Sequence, residues 1–187
     1  MVKRQRPFLL KMGLRCRWLL AAHAPHMLET RDLTIRFGGH VAVNAVSCAF
    51  APGTLTAIVG PNGAGKTTYF NLISGQLKAT SGSVTLGGRD LTGLPVSERT
   101  RAGLGRAFQL TNLFPNLTVH QNLLLGQKGS GKGSRWSFDD MYEMFPRLKE
   151  RQHTEAGVMS GGEQQMLTLC RTLMGDPDLI IIDEPTE

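Results

Sequence analysis

The chain has 187 residues, of which 41% are apolar and 19% are charged. This composition is typical of a soluble globular protein with one domain, or one domain and a small subdomain. Its long uncharged stretches, 41–65 and 107–127, are interrupted by Pro, Gly, Asn and Gln, which excludes a bilayer span there. Three cysteines without a recurring spacing favour a reducing cytosol and argue against disulfides or a zinc site.

The net charge of +6 comes from the first 26 residues, because the remaining basic and acidic side chains balance. This distribution argues against a nucleic-acid-binding domain. Lys11, Arg15 and Arg17 interrupt any apolar signal-peptide core. We predict that residues 1–26 are a basic extension, either an amphipathic helix resting on anionic lipid or a disordered stretch ahead of a true start at Met27. We favour the second interpretation.

Loose alternation over 28–37 and 41–50 predicts a hairpin around Gly38-Gly39, in the antiparallel part of the fold. A short apolar run, Leu55–Val59, lies between Pro52-Gly53 and Gly60-Pro61 and is predicted to be a strand. A further strand is expected over 82–86.

Residues Gly60-Pro61-Asn62-Gly63-Ala64-Gly65-Lys66-Thr67 fit the phosphate-loop pattern G-x-x-x-x-G-K-[ST]. The following stretch, 66–74, is predicted to be a helix that ends at Gly75. Such a loop directs backbone N–H groups to phosphate oxygens at a positive helix end. Lys66 would contact the β- and γ-phosphates, and the Thr67 hydroxyl would bind Mg²⁺. A chance match is a poor explanation, since both flanking segments have the expected character.

A second capped helix is predicted near the end of the chain. Ser160 is a good N-cap, and Glu163 stands three residues later, where a capping box requires it. The helix 162–174 should then end at Gly175. Residues 138–150, ahead of it, are predicted to be helical with an interruption at Pro146. A stable capped helix is a sufficient explanation of the motif alone; exposed N–H groups beside Gly161 and Gly162 could also bind a phosphate.

The run Leu179–Ile182 is continuously apolar and is predicted to be a parallel strand buried on both faces. Asp183, at its carboxyl end, could hold Mg²⁺. Glu184 is placed to activate a water molecule as general base. An isolated Asp-Glu pair would more often be a solvated turn. The upstream phosphate loop and the apolar strand favour the functional interpretation here. Gln109, considered alone, is an ordinary loop glutamine.

Together these motifs resemble the ATP-binding subunit of an ABC transporter. Residues 60–68, GPNGAGKTT, resemble the Walker A loop, and Gln109 resembles the Q-loop. Residues 159–166, MSGGEQQM, resemble the signature motif, and 179–185, LIIIDEP, the Walker B strand. Phe37 matches the aromatic residue that stacks on adenine. Within this family the chain most resembles the ATPases of importers for branched-chain amino acids, urea and short amides. Parts of the chain resemble each of their two ATPase subunits, so both subunit types stay open.

The resemblance implies an α/β P-loop NTPase of the RecA type, with an antiparallel β subdomain and a helical signature subdomain at about 112–160, within a nucleotide-binding domain over 27–187. It implies ATP and Mg²⁺ as cofactors. Catalytic roles fall on Lys66, Gln109 and Glu184, and metal binding on Thr67, Gln109 and Asp183. The implied nucleotide-binding residues are Phe37, Gly60, Pro61, Asn62, Gly63, Ala64, Gly65, Lys66, Thr67, Thr68, Ser160, Gly161 and Gly162.

The resemblance also implies partners and a location. Two ATPase subunits, identical or different, would close head to tail on two ATP molecules. They would act on a membrane permease and, through it, serve a periplasmic or extracellular solute-binding protein, with no nucleic acid involved. The expected location is peripheral, at the cytoplasmic face of the plasma (inner) membrane. ATP hydrolysis would energise import of a small solute, and branched-chain amino acids are the favoured class.

The sequence ends three residues after Glu184. Relatives of this type continue with a D-loop, a switch histidine and a further parallel strand. We therefore expect an incomplete domain, truncated after Walker B, that binds ATP weakly and hydrolyses little. A non-catalytic ATP-binding fragment and a non-transport ABC ATPase are the alternatives, although the long insertions or second cassette of the latter are not seen.

Overall fold

The computed structural model describes three stretches of the chain, residues 28–107, 113–129 and 134–183. They form two compact units. The first unit contains residues 28–73 and 77–93, and the second contains residues 74–76 and the described residues from 94 onward. Across these stretches, no helix has both the length and the apolar character needed to cross a bilayer. The predictions for residues 1–26 lie outside the described stretches.

An antiparallel sheet with the strand order β2-β1-β3-β4 forms most of the first unit. Its strands, and the helix that follows β2, are β1 (Leu28–Phe37), β2 (His40–Phe50), α1 (Lys66–Ser74), β3 (Ser81–Leu86) and β4 (Arg89–Asp90). The predicted hairpin is confirmed, because β1 and β2 pair from Phe37 and His40 at the turn to Leu28 and Phe50 at the other end. Gly38 adopts φ +58° in that turn, a left-handed conformation that glycine tolerates.

The predicted helix after the phosphate loop is confirmed as α1. Its buried face is formed by Tyr69, Leu72 and Ile73, at the i, i+3, i+4 spacing of one helix face. The Tyr69 hydroxyl lies 2.7 Å from Thr30 Oγ1 in a buried hydrogen bond. This contact fixes α1 against β1.

The predicted strand Leu55–Val59 is wrong. The backbone there is irregular, and the side chains of Leu55 and Val59 are 81% and 88% exposed. A strand requires a neighbour to satisfy its N–H and C=O groups, and no strand of the described stretches pairs with this segment. The apolar run therefore leads into the phosphate loop as an exposed segment.

The second unit is mainly helical and contains a short parallel sheet. Its elements are α2 (Val96–Arg101), β5 (Leu104–Ala107), α3 (Val119–Gly126), α4 (Phe138–Met144), α5 (Pro146–Glu150), α6 (Gly161–Met174) and β6 (Leu179–Ile182). Strand β5 runs parallel to β6, with Leu104 opposite Leu179 and Ala107 opposite Ile182. The predicted strand at β6 is confirmed. Its burial on both faces is wrong, because Ile181 is buried but Ile182 is 41% exposed in a sheet of two strands.

A hydrophobic cluster holds four helices of the second unit together. Its fully buried members come from α3, α4, α5 and α6: Val119, Leu123, Met141, Leu148, Leu167, Cys170 and Met174. The predicted interruption at Pro146 is confirmed, since α4 ends at Met144 and α5 starts at the proline. Burial of one face of α6 in this cluster orients the helix and therefore places its first turn.

Candidate functional site

Residues 60–65 of the phosphate loop form a largely exposed turn that leads into α1, and Lys66 and Thr67 are the first two residues of that helix. Gly63 and Gly65 adopt φ +82° and +84°, a region that side chains with a Cβ disfavour. A Cβ at Gly65 would also lie 2.6 Å from the carbonyl oxygen of Ala42. Gly65 is therefore required both by its backbone angle and by the close approach of β2.

Lys66, the first residue of α1, is held by the loop that precedes it. Its ammonium donates hydrogen bonds to the carbonyl oxygens of Gly60, at 2.6 Å, and Pro61, at 2.9 Å. The first turn of α1 contains no acidic side chain. The positive helix end and the ammonium therefore converge on one exposed surface, which suits an anionic ligand. The neighbouring Thr67 is exposed.

The signature turn, residues 159–163, has the predicted capping box. The carboxylate of Glu163 accepts hydrogen bonds from the backbone N–H and the hydroxyl of Ser160, both at 2.9 Å, and Ser160 Oγ accepts from the Glu163 N–H. These bonds lower the pKa of Glu163 below its usual value, with backbone donation from Ser160 as the largest cause. Apart from the chain neighbours and the helix's own backbone, no described atom lies within 4 Å of a Cβ built at Gly161 or Gly162, so the space beside these glycines is open.

An open groove of about 420 Å³ lies beside the signature turn. It is lined by Arg147, Arg151, Ser160, Gly162, Glu163 and Met166. Arg151 lies 3.4 Å from Glu163, and together with Arg147 it further lowers the pKa of that carboxyl. No motif of the sequence indicated that these arginines belong to a site. Their i, i+4 spacing on the helical segment upstream of the motif is the signal that could have done so.

Asp183, immediately after β6, is buried and paired with Arg106 of β5. Arg106 Nη2 lies 3.2 Å from Asp183 Oδ2, and Nη1 donates to Ser74 Oγ at 2.8 Å and to Gln76 Oε1 at 2.9 Å. Burial lowers the pKa of the Arg106 guanidinium, while the carboxylate of Asp183 acts in the opposite direction. No motif of the sequence indicated a functional role for Arg106.

Of three further predicted site residues, only Phe37 lies within the described stretches. Phe37 ends β1 and is 50% exposed, so its ring is accessible. Gln109 and Glu184 lie outside the described stretches. The phosphate loop belongs to the first unit, whereas Asp183 and Ser160 belong to the second.

The donor chemistry of the predicted metal ligands fits Mg²⁺. Thr67 offers a hydroxyl oxygen and Asp183 a carboxylate oxygen, and Mg²⁺ prefers oxygen ligands from one or two side chains together with phosphate oxygens. The hydrogen bond from Arg106 Nη2 is to Oδ2 of Asp183.

Comparison with known proteins gives the same result as the motifs. The family model described as "ABC transporter" matches residues 43–187. The high-affinity branched-chain amino acid transport ATP-binding protein BraG of Pseudomonas aeruginosa is 38% identical over 161 residues, which is 86% of this chain and 69% of that protein. The probable branched-chain amino acid transport ATP-binding protein LivG of Archaeoglobus fulgidus is 35% identical, over 85% of this chain and 67% of that protein.

The solved structures agree with the family match. A nucleotide-free ATP-binding cassette from an ABC transporter superposes with a TM-score of 0.72 at 32% identity, covering 87% of this chain and 70% of that chain. The class of protein is therefore an ATP-binding α/β protein with the ABC nucleotide-binding fold. The chain belongs to the ABC transporter family, as one of its ATPases.

Proposed function

We propose that the ATPase to which these residues belong binds ATP with Mg²⁺ and hydrolyses it to energise the import of branched-chain amino acids through a membrane permease. The observation that carries this proposal is the phosphate loop, in which Lys66 is fixed at the N-terminus of α1 by the carbonyls of Gly60 and Pro61. The names of the relatives in Pseudomonas and Archaeoglobus support the solute class.

In this proposal the loop binds the triphosphate. Backbone N–H groups of Gly60–Thr68 surround the β-phosphate, and the ammonium of Lys66 exchanges its carbonyl partners for β- and γ-phosphate oxygens. That exchange replaces two neutral acceptors with charged ones, so it strengthens the hydrogen bonds of the lysine. Phe37 stacks on the adenine ring through its exposed face.

Hydrolysis requires the groups at the end of β6 and on the Q-loop. Thr67, Gln109 and Asp183 would hold Mg²⁺, which supplies charge neutralisation for the phosphate oxygens. Glu184 accepts a proton from the attacking water as the bond to the γ-phosphorus forms and the bond to the ADP oxygen breaks. Gln109 orients that water and passes the presence of the γ-phosphate to the permease.

A second copy, or a related ATPase subunit, completes each site. The amides of Gly161 and Gly162 and the hydroxyl of Ser160 would contact the γ-phosphate bound by the other subunit. Arg147 and Arg151 add positive charge beside the same groove. The dimer would sit at the cytoplasmic face of the membrane, bound to permease subunits that receive solute from a binding protein outside, and nucleic acid has no part in this scheme.

Lys66→Ala tests nucleotide binding, with Lys78→Ala as the matched control. Both lysines belong to the first unit, but Lys78 is an exposed residue outside the loop. Binding of a fluorescent ATP analogue should weaken at least about tenfold in K66A, since a charge-assisted contact is lost, and should not change in K78A. Equal affinities in K66A and the parent chain would refute the nucleotide site.

Solute uptake tests the transport part of the proposal. The chain would be assembled with its permease in vesicles, with ATP inside and the solute-binding protein outside, and uptake of labelled leucine would be compared with that of labelled lysine. ATP-dependent uptake of leucine alone is expected. Uptake of neither amino acid by an assembled, ATP-hydrolysing complex would remove the branched-chain assignment and leave the ATPase assignment intact.

A further inference from the structure

Arg106 is the centre of a buried polar cluster formed by Ser74, Gln76, Arg106 and Asp183. The side chains of Arg106 and Asp183 are only 8% and 5% exposed. One nitrogen of the guanidinium contacts the carboxylate, and another contacts the hydroxyl of Ser74 and the amide oxygen of Gln76. All four residues belong to the second unit, and the paired residues are 77 positions apart in the chain.

We propose that Arg106 is the resident countercharge of Asp183: it positions the carboxylate when no cation is bound, and it sets the divalent-cation affinity of the site. This inference rests on the proposed function in assigning Asp183 to the metal.

The cluster explains why a carboxylate is stable at this buried place. A buried anion without a partner is strongly destabilising, and removing one member of a buried ion pair leaves such a charge behind. The planar guanidinium can contact several acceptors in fixed directions, whereas a lysine ammonium is a point charge on a flexible stem. The bonds to Ser74 and Gln76 fix the plane of the guanidinium and therefore its approach to Oδ2.

The same charge acts against an arriving metal ion. A divalent cation held by Asp183 is close to the full positive charge of Arg106, in an environment where water screens poorly. Loss of the arginine also frees the carboxylate to rotate, which opposes binding, but the freedom of one short side chain is the smaller effect. Removal of the charge should therefore tighten cation binding even as it weakens the fold.

A thermodynamic cycle tests the pairing without nucleotide or metal. Urea unfolding in EDTA would be measured for the parent chain, Arg106→Gln, Asp183→Asn and the double variant. Each single substitution should lower stability, and the double variant should be clearly more stable than the sum of the two losses. Additive losses would overturn the pairing, whatever the chain does with ATP.

The cation response separates a countercharge from a merely structural residue. Binding of Mn²⁺, with a non-hydrolysable ATP analogue, would be followed by electron paramagnetic resonance. R106Q should bind Mn²⁺ about tenfold more tightly than the parent chain, and Arg106→Lys, which keeps the charge, should bind with the parent affinity. Unchanged or weaker binding in R106Q would refute the proposal.

Arg99→Gln is the matched control, and R106K covers the case in which R106Q does not fold. Arg99 is a buried arginine of the same unit, and its Nε donates to the carbonyl of Leu94. R99Q should lose stability with no change in Mn²⁺ affinity and no coupling to D183N. For R106K, a lower stability in EDTA at parent Mn²⁺ affinity supports the proposal, and a changed affinity contradicts it. A third outcome is a parent chain that binds no Mn²⁺ but shows coupling between Arg106 and Asp183 in EDTA. That result would refute the assignment of Asp183 to the metal and the role of Arg106 in cation affinity. The ion pair between the two residues would still be supported.

Discussion

Ser160 and Glu163 exchange hydrogen bonds at the start of α6. The Glu163 carboxylate accepts a bond from the Ser160 N–H at 2.9 Å, and the serine hydroxyl oxygen accepts one from the Glu163 N–H. The same arrangement caps α4, where Ser137 and Asp140 exchange equivalent bonds. The described part of the chain therefore contains two boxes built on a serine and a carboxylate, and only the one at α6 belongs to the signature turn. A third box, between Thr118 and Gln121, caps α3. This duplication allows a structural role to be separated from a functional one.

We expect Ser160→Ala and Ser137→Ala to lower the free energy of unfolding by a similar amount, about 1 kcal/mol each, because each removes one helix cap. Only S160A should also reduce ATP turnover in the assembled transporter, at least about tenfold, since it alone removes a proposed γ-phosphate contact. Urea unfolding and a coupled ATPase assay measure the two effects. Equal turnover in the two variants would show that the serine of the signature turn acts only as a cap.

The dependence of stability on acid pH provides a second prediction. Hydrogen bonds from Ser160 lower the pKa of Glu163 in the folded chain below its ordinary 4.5. The contribution of Glu163 to the free energy of unfolding is therefore fully present above the pKa of this carboxyl in the unfolded chain. It is lost as the pH falls through the pKa of the same carboxyl in the folded chain. Glu163→Gln should show a smaller loss of stability than the parent chain between about pH 6 and about pH 3. An identical pH dependence in the two proteins would contradict this assignment.

The parts of the site that the sequence predicted correctly depend on neighbours in the chain. The capping box needs only the spacing of Ser160 and Glu163, and α1 needs only the loop and the apolar face that follows it. In contrast, whether Leu55–Val59 forms a strand depends on a partner strand that no local pattern encodes. The pairing of Arg106 with Asp183 spans 77 positions, so no motif could reveal it. The roles of Gln109 and Glu184 stay predictions from the family resemblance.

The phosphate loop should be intolerant of a methyl group at Gly65. Gly65→Ala forces a residue with a Cβ into φ +84°, which costs about 1–2 kcal/mol, and it brings that atom against the carbonyl of Ala42. ATP affinity should fall at least about tenfold, because 1.4 kcal/mol corresponds to a factor of ten. Gly39→Ala is the control, since a Cβ there meets nothing within 4 Å. Fluorescence titration with an ATP analogue compares the two, and equal affinities would contradict the geometry of the loop.

Because the segment Leu55–Val59 is exposed, a charged substitution there should affect stability much less than the same substitution in a buried strand. Val59→Lys should change the free energy of unfolding by less than about 0.5 kcal/mol, as substitutions at exposed positions usually do. Ile181→Lys, in β6, should cost about 3 kcal/mol or more, because it buries an unpaired charge. Both values come from urea unfolding of the same chain under the same conditions. A large loss in V59K would mean that Leu55–Val59 is packed as a strand after all, because only a buried side chain at that position would make the ammonium so costly.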